Sequence, residues 1–147
     1  MTTSLLRLLV LALLLQAGSA LAWWNDEWTF RQKVSISVPS ANESQAIKDV
    51  PILVRLHTGN FSFLDAREDG ADLRFVATDD KTLLPFQIES YDAVNELALV
   101  WVHIPQLTAG SLQSVWLYSG NPKAAPAGDA SSTFDSVAYS LLSLLQR

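Results

Sequence analysis

From Lys33 to Gly120 the apolar positions mostly recur at every second residue, the period of a β-strand with one face buried. In KVSISV, Val34, Ile36 and Val38 alternate with Ser35 and Ser37. VPILVRLH sets Ile52, Val54 and Leu56 on one face, with Leu53, Arg55 and His57 on the other. After the turn at Asp69-Gly70, Leu73 and Phe75 oppose Asp72 and Arg74, and LPFQIES sets Leu84, Phe86 and Ile88 against Gln87 and Glu89. NELALVWVHIP is apolar on both faces, as a central covered strand would be; Pro105 is expected to end it, with QLTAG as a turn. SLQSVWLYSG is the last strand. The connections, among them the polar loop PSANESQAIKD, are too short for helical crossovers, so the pairing is expected to be antiparallel. The prediction is an all-β fold, an antiparallel, jelly-roll-like β-sandwich.

The flanks are different. Residues 1–22 hold one charge, Arg7, then an apolar run from Leu8 to Leu15, and end in Ala20-Leu21-Ala22. This is the layout of a signal peptide, shorter than the roughly 20 apolar residues that span a bilayer. Export with cleavage after Ala22 is expected, to the periplasm or the medium of a bacterium; an uncleaved segment would be the sole membrane contact. NPKAAPAGDASS reads as a linker, followed by a tail whose Val137, Leu141, Leu142, Leu144 and Leu145 suit a short helix or strand. The expected organisation is 1–22 signal peptide, 23–122 sandwich domain, and 123–147 linker and apolar tail. If the chain is a truncated copy of a longer protein, that tail is expected to be loosely docked.

Composition narrows the partners. The formal net charge is −5, and losing Arg7 takes it one unit lower. An acidic domain without a basic run is a poor nucleic-acid ligand. The chain has no cysteine, so an exported domain of about 125 residues must be held by its own core.

The ordered segments WWNDEWTFRQKVSI, DVPILVRL, DGADLRF, LLPFQIESYD, LALVWVHIPQLTAG and VWLYSGNP resemble the bacterial DUF2341 family, a domain of unknown function, from about Trp23 to Pro122. Ser119 departs from the Tyr that members commonly carry before Gly-Asn. The resemblance implies a β-sandwich outside the cytoplasm, often found ahead of concanavalin-A-like domains or of segments similar to MotA/TolQ/ExbB proton-channel components. It implies no catalytic residues.

Candidate chemistry is sparse. Asp69, Asp72, Asp79, Asp80, Glu89 and Asp92 could supply acid and base, but glycosidases need two carboxyls about 5–10 Å apart, and most of these fall in turns where Asp stays solvated. EDGAD and TDD offer oxygen ligands without EF-hand spacing, and Asp72 with Arg74 reads as a local ion pair. His57 and His103 have no second histidine at metal-binding spacing; His103 reads as a residue at the core rim. No cofactor or metal is expected. Trp101 and Trp116 are expected to fill the core. The opening WWNDEWTFR makes Trp23, Trp24, Asn25, Asp26, Trp28 and Arg31 the candidate contact residues. They could stack on sugar rings, meet a protein partner, or close the N-terminus onto the sandwich. The expectation is a non-enzymatic exported module that binds an envelope protein or polysaccharide, possible partners including a TolQ/ExbB-type assembly. The alternatives are a carbohydrate-binding module and a glycoside hydrolase fragment.

Overall fold

The computed structural model describes residues 23–39 and 46–134. The expected signal peptide and the apolar tail lie outside the described residues. Among the described residues seven strands form: β1 (Phe30–Ser37), β2 (Ala46–His57), β3 (Arg74–Val76), β4 (Leu83–Leu84), β5 (Phe86–Asp92), β6 (Leu97–Thr108) and β7 (Leu112–Ser119). A 3₁₀ turn spans Phe63–Asp65, and one short helix, α1, spans Ala130–Thr133. Every pairing is antiparallel; one sheet runs β1-β7-β3-β4 and the other β2-β6-β5. This is the all-β antiparallel sandwich that the alternation predicts, split four and three.

The core lies between the sheets. Val54, Leu56, Phe75, Phe86, Val100, Val102 and Leu117 are buried there, with Val34, Ile36 and Ile52 packed against them at partial exposure. Strand parity selects these residues: Val54 pairs with Val100 and Ile52 with Val102, so one face of β2 and β6 is apolar throughout.

Several expectations are corrected. LPFQIES is two strands, not one: Leu84 pairs with Phe75 in the first sheet and Phe86 with Val102 in the second. Pro85, with no N–H to donate, sits where the chain changes sheets. Pro105 does not end β6, which runs on to Thr108. Beyond Val102 the strand pairs only with β2, so Pro105 lies on an edge, where its missing N–H is tolerated. The strand on β2 starts earlier than expected, at Ala46, because β6 is long enough to pair with it. Asp49, opposite Pro105, takes a left-handed backbone conformation (φ 54°). Trp101 and Trp116 are only half-buried and lie on the outer faces of their sheets.

The segment expected as a linker runs along the sandwich. Asn121 and Ala124 are buried, the Arg74 Nη2 donates to the Ala125 carbonyl at 2.7 Å, and the Asp129 N–H donates to the Phe86 carbonyl at 2.8 Å. Asp129 caps α1 by accepting from the Ser131 N–H at 2.9 Å. Thr133 is fully buried, and Phe134 meets Trp101 edge to face at 5.6 Å. A composition of Pro, Ala, Gly and Ser suits such a close-fitting strap as well as a free linker.

Candidate functional site

On the outer face of the four-stranded sheet, strand register lines up two rows of side chains. Tyr118 on β7 pairs with Arg31 on β1 and with Arg74 on β3; Trp116 pairs with Lys33 and with Val76. An outer face is normally left to water, yet Tyr118 and Val76 are fully buried. The opening segment covers them. Trp24 sits at 5.7 Å from Tyr118 and 5.0 Å from Trp28, and its backbone N–H donates to the Tyr118 hydroxyl at 3.0 Å. Trp23 meets Tyr118 edge to face at 5.6 Å.

The three tryptophans differ in role. Trp28 is 6% exposed, and its Nε1 donates to the Asp72 carbonyl at 2.6 Å. The Arg74 guanidinium lies 5.1 Å from its ring centre. Trp24 is half-buried, while Trp23 keeps 40% of its surface exposed. Arg31 is held between two indoles, 5.0 Å from the Trp23 ring centre and 4.5 Å from that of Trp116. Its Nη1 donates to Asp80 Oδ2, and the Tyr118 hydroxyl donates to Asp80 Oδ1. The hydrogen bond to Tyr118, and then the charge of Asp80, raise the Arg31 pKa against the cost of its desolvation. Lys33 lies 5.8 Å above Trp116. The result is an aromatic patch built around the Arg31–Asp80 ion pair, with Lys33 beside it.

Asp72 fastens this cover to the sandwich. Its carboxylate is fully buried and accepts from the Arg67 N–H at 3.0 Å and the Gly120 N–H at 2.6 Å. The expected ion pair with Arg74 does not form. Arg74 instead donates to the carbonyls of Ala71, Leu73 and Ala125, and burial lowers its pKa, partly offset by the Asp72 charge. Gly120 has φ 88°, and a Cβ there would stand 2.2 Å from Thr29 Oγ1 and 2.5 Å from the Phe30 ring. Only glycine lets β7 end so close to the opening segment.

Of the residues singled out in the sequence, Trp23, Trp24, Trp28 and Arg31 come together here. Asn25 and Asp26 do not join them. Asn25 shapes the turn, its Oδ1 accepting from the Glu27 N–H at 2.9 Å and its carbonyl from the Trp28 N–H at 3.3 Å, and Asp26 is exposed. Sequence reasoning missed Tyr118 and misjudged Asp80 and Trp116. The alternation in VWLYS does place Trp116 and Tyr118 on one face, opposite Val115 and Leu117.

The remaining carboxylates divide. Asp79 and Asp92 are exposed and bound within their own turns, to Thr82 and Asn95 respectively. Asp69 is exposed and paired with Arg67 at 2.9 Å, which holds its pKa well below the usual carboxylate range. Asp72 and Asp80 are not solvated turn residues, because backbone amides and Arg31 with Tyr118 take up their oxygens. Among the described residues no three His, Asp or Glu side chains gather as a metal site. His57 Nδ1 accepts from the Gly59 N–H at 3.1 Å. His103 lies on an outer face, not at the core rim, with Nδ1 3.2 Å from the Thr133 carbonyl and Nε2 3.4 Å from Asp49. No helix among the described residues is long and apolar enough to cross a membrane.

Fold and site together define an antiparallel β-sandwich whose opening segment is folded back onto one outer face. Comparison with protein families gives one match: residues 69–138 match the family described as Domain of unknown function (DUF2341). The matched residues include the segments DGADLRF, LLPFQIESYD, LALVWVHIPQLTAG and VWLYSGNP, which carry the resemblance to that family. The match takes in β3 to β7 and α1 and runs past Phe134; β1, β2 and the tryptophan-rich opening precede it. No curated protein and no solved structure gives a significant match.

Proposed function

We propose that this protein is a non-enzymatic, exported binding module of the bacterial envelope, and that it contacts a protein partner through the outer face of its four-stranded sheet. The observation that carries the reading is the clamp of Arg31 between Trp23 and Trp116. Trp28 is spent on anchoring the segment, but Trp23 stays 40% exposed beside a guanidinium already fixed by Asp80 and Tyr118. Trp, Tyr and Arg are the residues that dominate protein–protein hot spots, and side chains held in place before contact lose little entropy on binding. Asp80 neutralises Arg31, so Lys33 is the charge this face offers to an anionic group of a partner. The family resemblance makes a component of a TolQ/ExbB-type assembly one candidate class.

The carbohydrate reading is weaker on geometry. A sugar platform needs several exposed rings, whereas Trp28 is buried and Trp24 half-buried, which leaves Trp23 as the exposed ring of the opening segment. Arg31 also occupies a face of Trp23 and of Trp116. The test is photo-crosslinking in the source cell, with a photoreactive residue at Lys33 and a control at Asn95 in the turn before β6. The reading expects one protein adduct from position 33 and none from position 95. Equal labelling at both, or a glycan-array signal abolished by Trp23→Ala, would overturn it.

A further inference from the structure

At one end of the sandwich two loops line a common cleft. One holds the 3₁₀ turn Phe63–Asp65; the other is the turn of residues 93–96 between β5 and β6. Phe63 is buried, edge to face with Phe61 at 4.9 Å and 5.5 Å from the Tyr91 ring. A 3₁₀ turn repeats every three residues, so the residue after a buried one points elsewhere. Leu64 is accordingly 93% exposed. Val94 is 92% exposed, in a turn closed by Asp92, which accepts from the Asn95 N–H at 2.9 Å and from the Asn95 side-chain amide at 2.7 Å. Turns favour Gly, Pro, Asn, Asp and Ser, so the turn itself does not call for a valine.

A single exposed apolar side chain is ordinary. Leu64 and Val94, however, line the same cleft, together with Phe63 and Tyr91, and its volume is about 640 Å³, within the range of small-molecule sites. Glu68 and Asp92 line it too. Residues 65–69 and 92–96 carry five carboxylates, Asp65, Glu68, Asp69, Asp92 and Glu96, against one cation, Arg67. Arg67 is paired with Asp69 at 2.9 Å, so the other four have no cation among these residues. The bonds from Asn95 keep Asp92 ionised, its pKa lying below the usual carboxylate value. Apolar and aromatic walls beside carboxylates suit a hydrocarbon group that carries a positive charge. The same carboxylates repel an anionic bilayer surface.

We propose that this cleft is a binding site for a small organic ammonium ion, its hydrocarbon part held between Leu64 and Val94 and its charge by Glu68 and Asp92. The site is separate from the Trp23 face and does not rest on the reading of that face.

The probe is phenethylammonium, titrated into the full chain and followed by amide chemical shifts. Phenethyl alcohol, phenylacetate and methylammonium are the controls; they lack the charge, reverse it, and lack the ring. The proposal expects phenethylammonium to bind with a Kd of about 1 mM, to shift amides in both loops, and to bind more weakly at about 1 M salt, where the Debye length is about 3 Å. All three controls are expected to bind more weakly. Leu64→Ser made together with Val94→Ser is expected to weaken binding about tenfold, and Glu68→Gln severalfold. Glu27→Gln, which removes the same charge at an exposed position outside the cleft, is expected to leave it unchanged. Positions 64, 68 and 94 are exposed, and an unchanged urea midpoint shows that each variant folds. Absence of shifts in the two loops, equal binding of phenethyl alcohol or phenylacetate, or parent affinity in the folded variants overturns the proposal. A protein adduct from the photoreactive residue at Asn95 assigns the cleft to a partner segment and overturns it as well.

Discussion

Replacing Asp72 by Asn tests the fastening of the opening segment with the least change of shape. Asp72 is fully buried, and its two carboxylate oxygens accept one backbone N–H each, from Arg67 and from Gly120. Asparagine keeps one acceptor and turns the other into an NH₂ donor facing a donor. One charged hydrogen bond is lost, worth about 1.5–3 kcal/mol, and a buried N–H is left facing another donor, so the expected loss of stability is about 2–4 kcal/mol. For a domain of this size that lowers Tm by roughly 6–15 °C. Urea unfolding of the mature protein followed by tryptophan fluorescence measures it, with the slope checked for two-state behaviour. Asp72→Ala is expected to cost at least as much, because both amides lose their partner. A loss below about 0.5 kcal/mol for Asp72→Asn, the range of an ordinary surface substitution, would refute the fastening role.

Gly120→Ala is expected to destabilise by more than the roughly 1 kcal/mol of a positive-φ glycine alone, since its Cβ would meet Thr29 and Phe30; the same unfolding assay reads it. Tyr91, whose hydroxyl is buried without a hydrogen-bond partner among the described residues, has its pKa raised to about 12 by burial and then by the charges of Asp72 and Asp69. Its folded-state pKa lies above the ordinary value of 10, so its contribution is full below pH 10 and is lost as pH rises toward 12; Tyr91→Phe should remove a late-titrating phenol from the ultraviolet titration while leaving stability equal or slightly higher. Asp69, Asp79, Asp92 and Asp129 are all shifted below their ordinary value of 3.8, mainly by hydrogen bonds from Arg67, Thr82, Asn95 and Ser131 respectively. Their contribution is present above about pH 4 and falls away as pH drops through the lowered values, so the urea midpoint should decline on the acid side.

Much of the sandwich was legible because a period of two says which residues face the core, and Val54, Leu56, Phe75, Phe86 and Leu117 obey it. The same parity in VWLYS places Trp116 and Tyr118 together on the far side, but an apolar preference alone suggested that Trp116 was core. What covers an outer face depends on segments distant in sequence, and period carries no information about them. Tyr118 is buried by Trp24, 94 residues away. Prolines misled where they were read as breakers: Pro105 lies in an edge stretch of β6, and Pro85 marks a change of sheet. In sequence Asp80 reads as a solvated turn residue and Asp72 as the ion-pair partner of Arg74; the groups that take up their oxygens, Arg31 and Tyr118 for Asp80 and the Arg67 and Gly120 amides for Asp72, converge only in the fold.

The measurement that tests the binding face most directly is the photo-crosslinked adduct from position 33 in Trp23→Ala, with the urea midpoint taken on the same protein. The adduct is expected to be lost while stability stays within about 0.5 kcal/mol of the parent, the range of a surface change. An adduct that survives Trp23→Ala, or one that disappears only together with stability, would contradict a contact role for Trp23 and leave the opening segment as a cover alone.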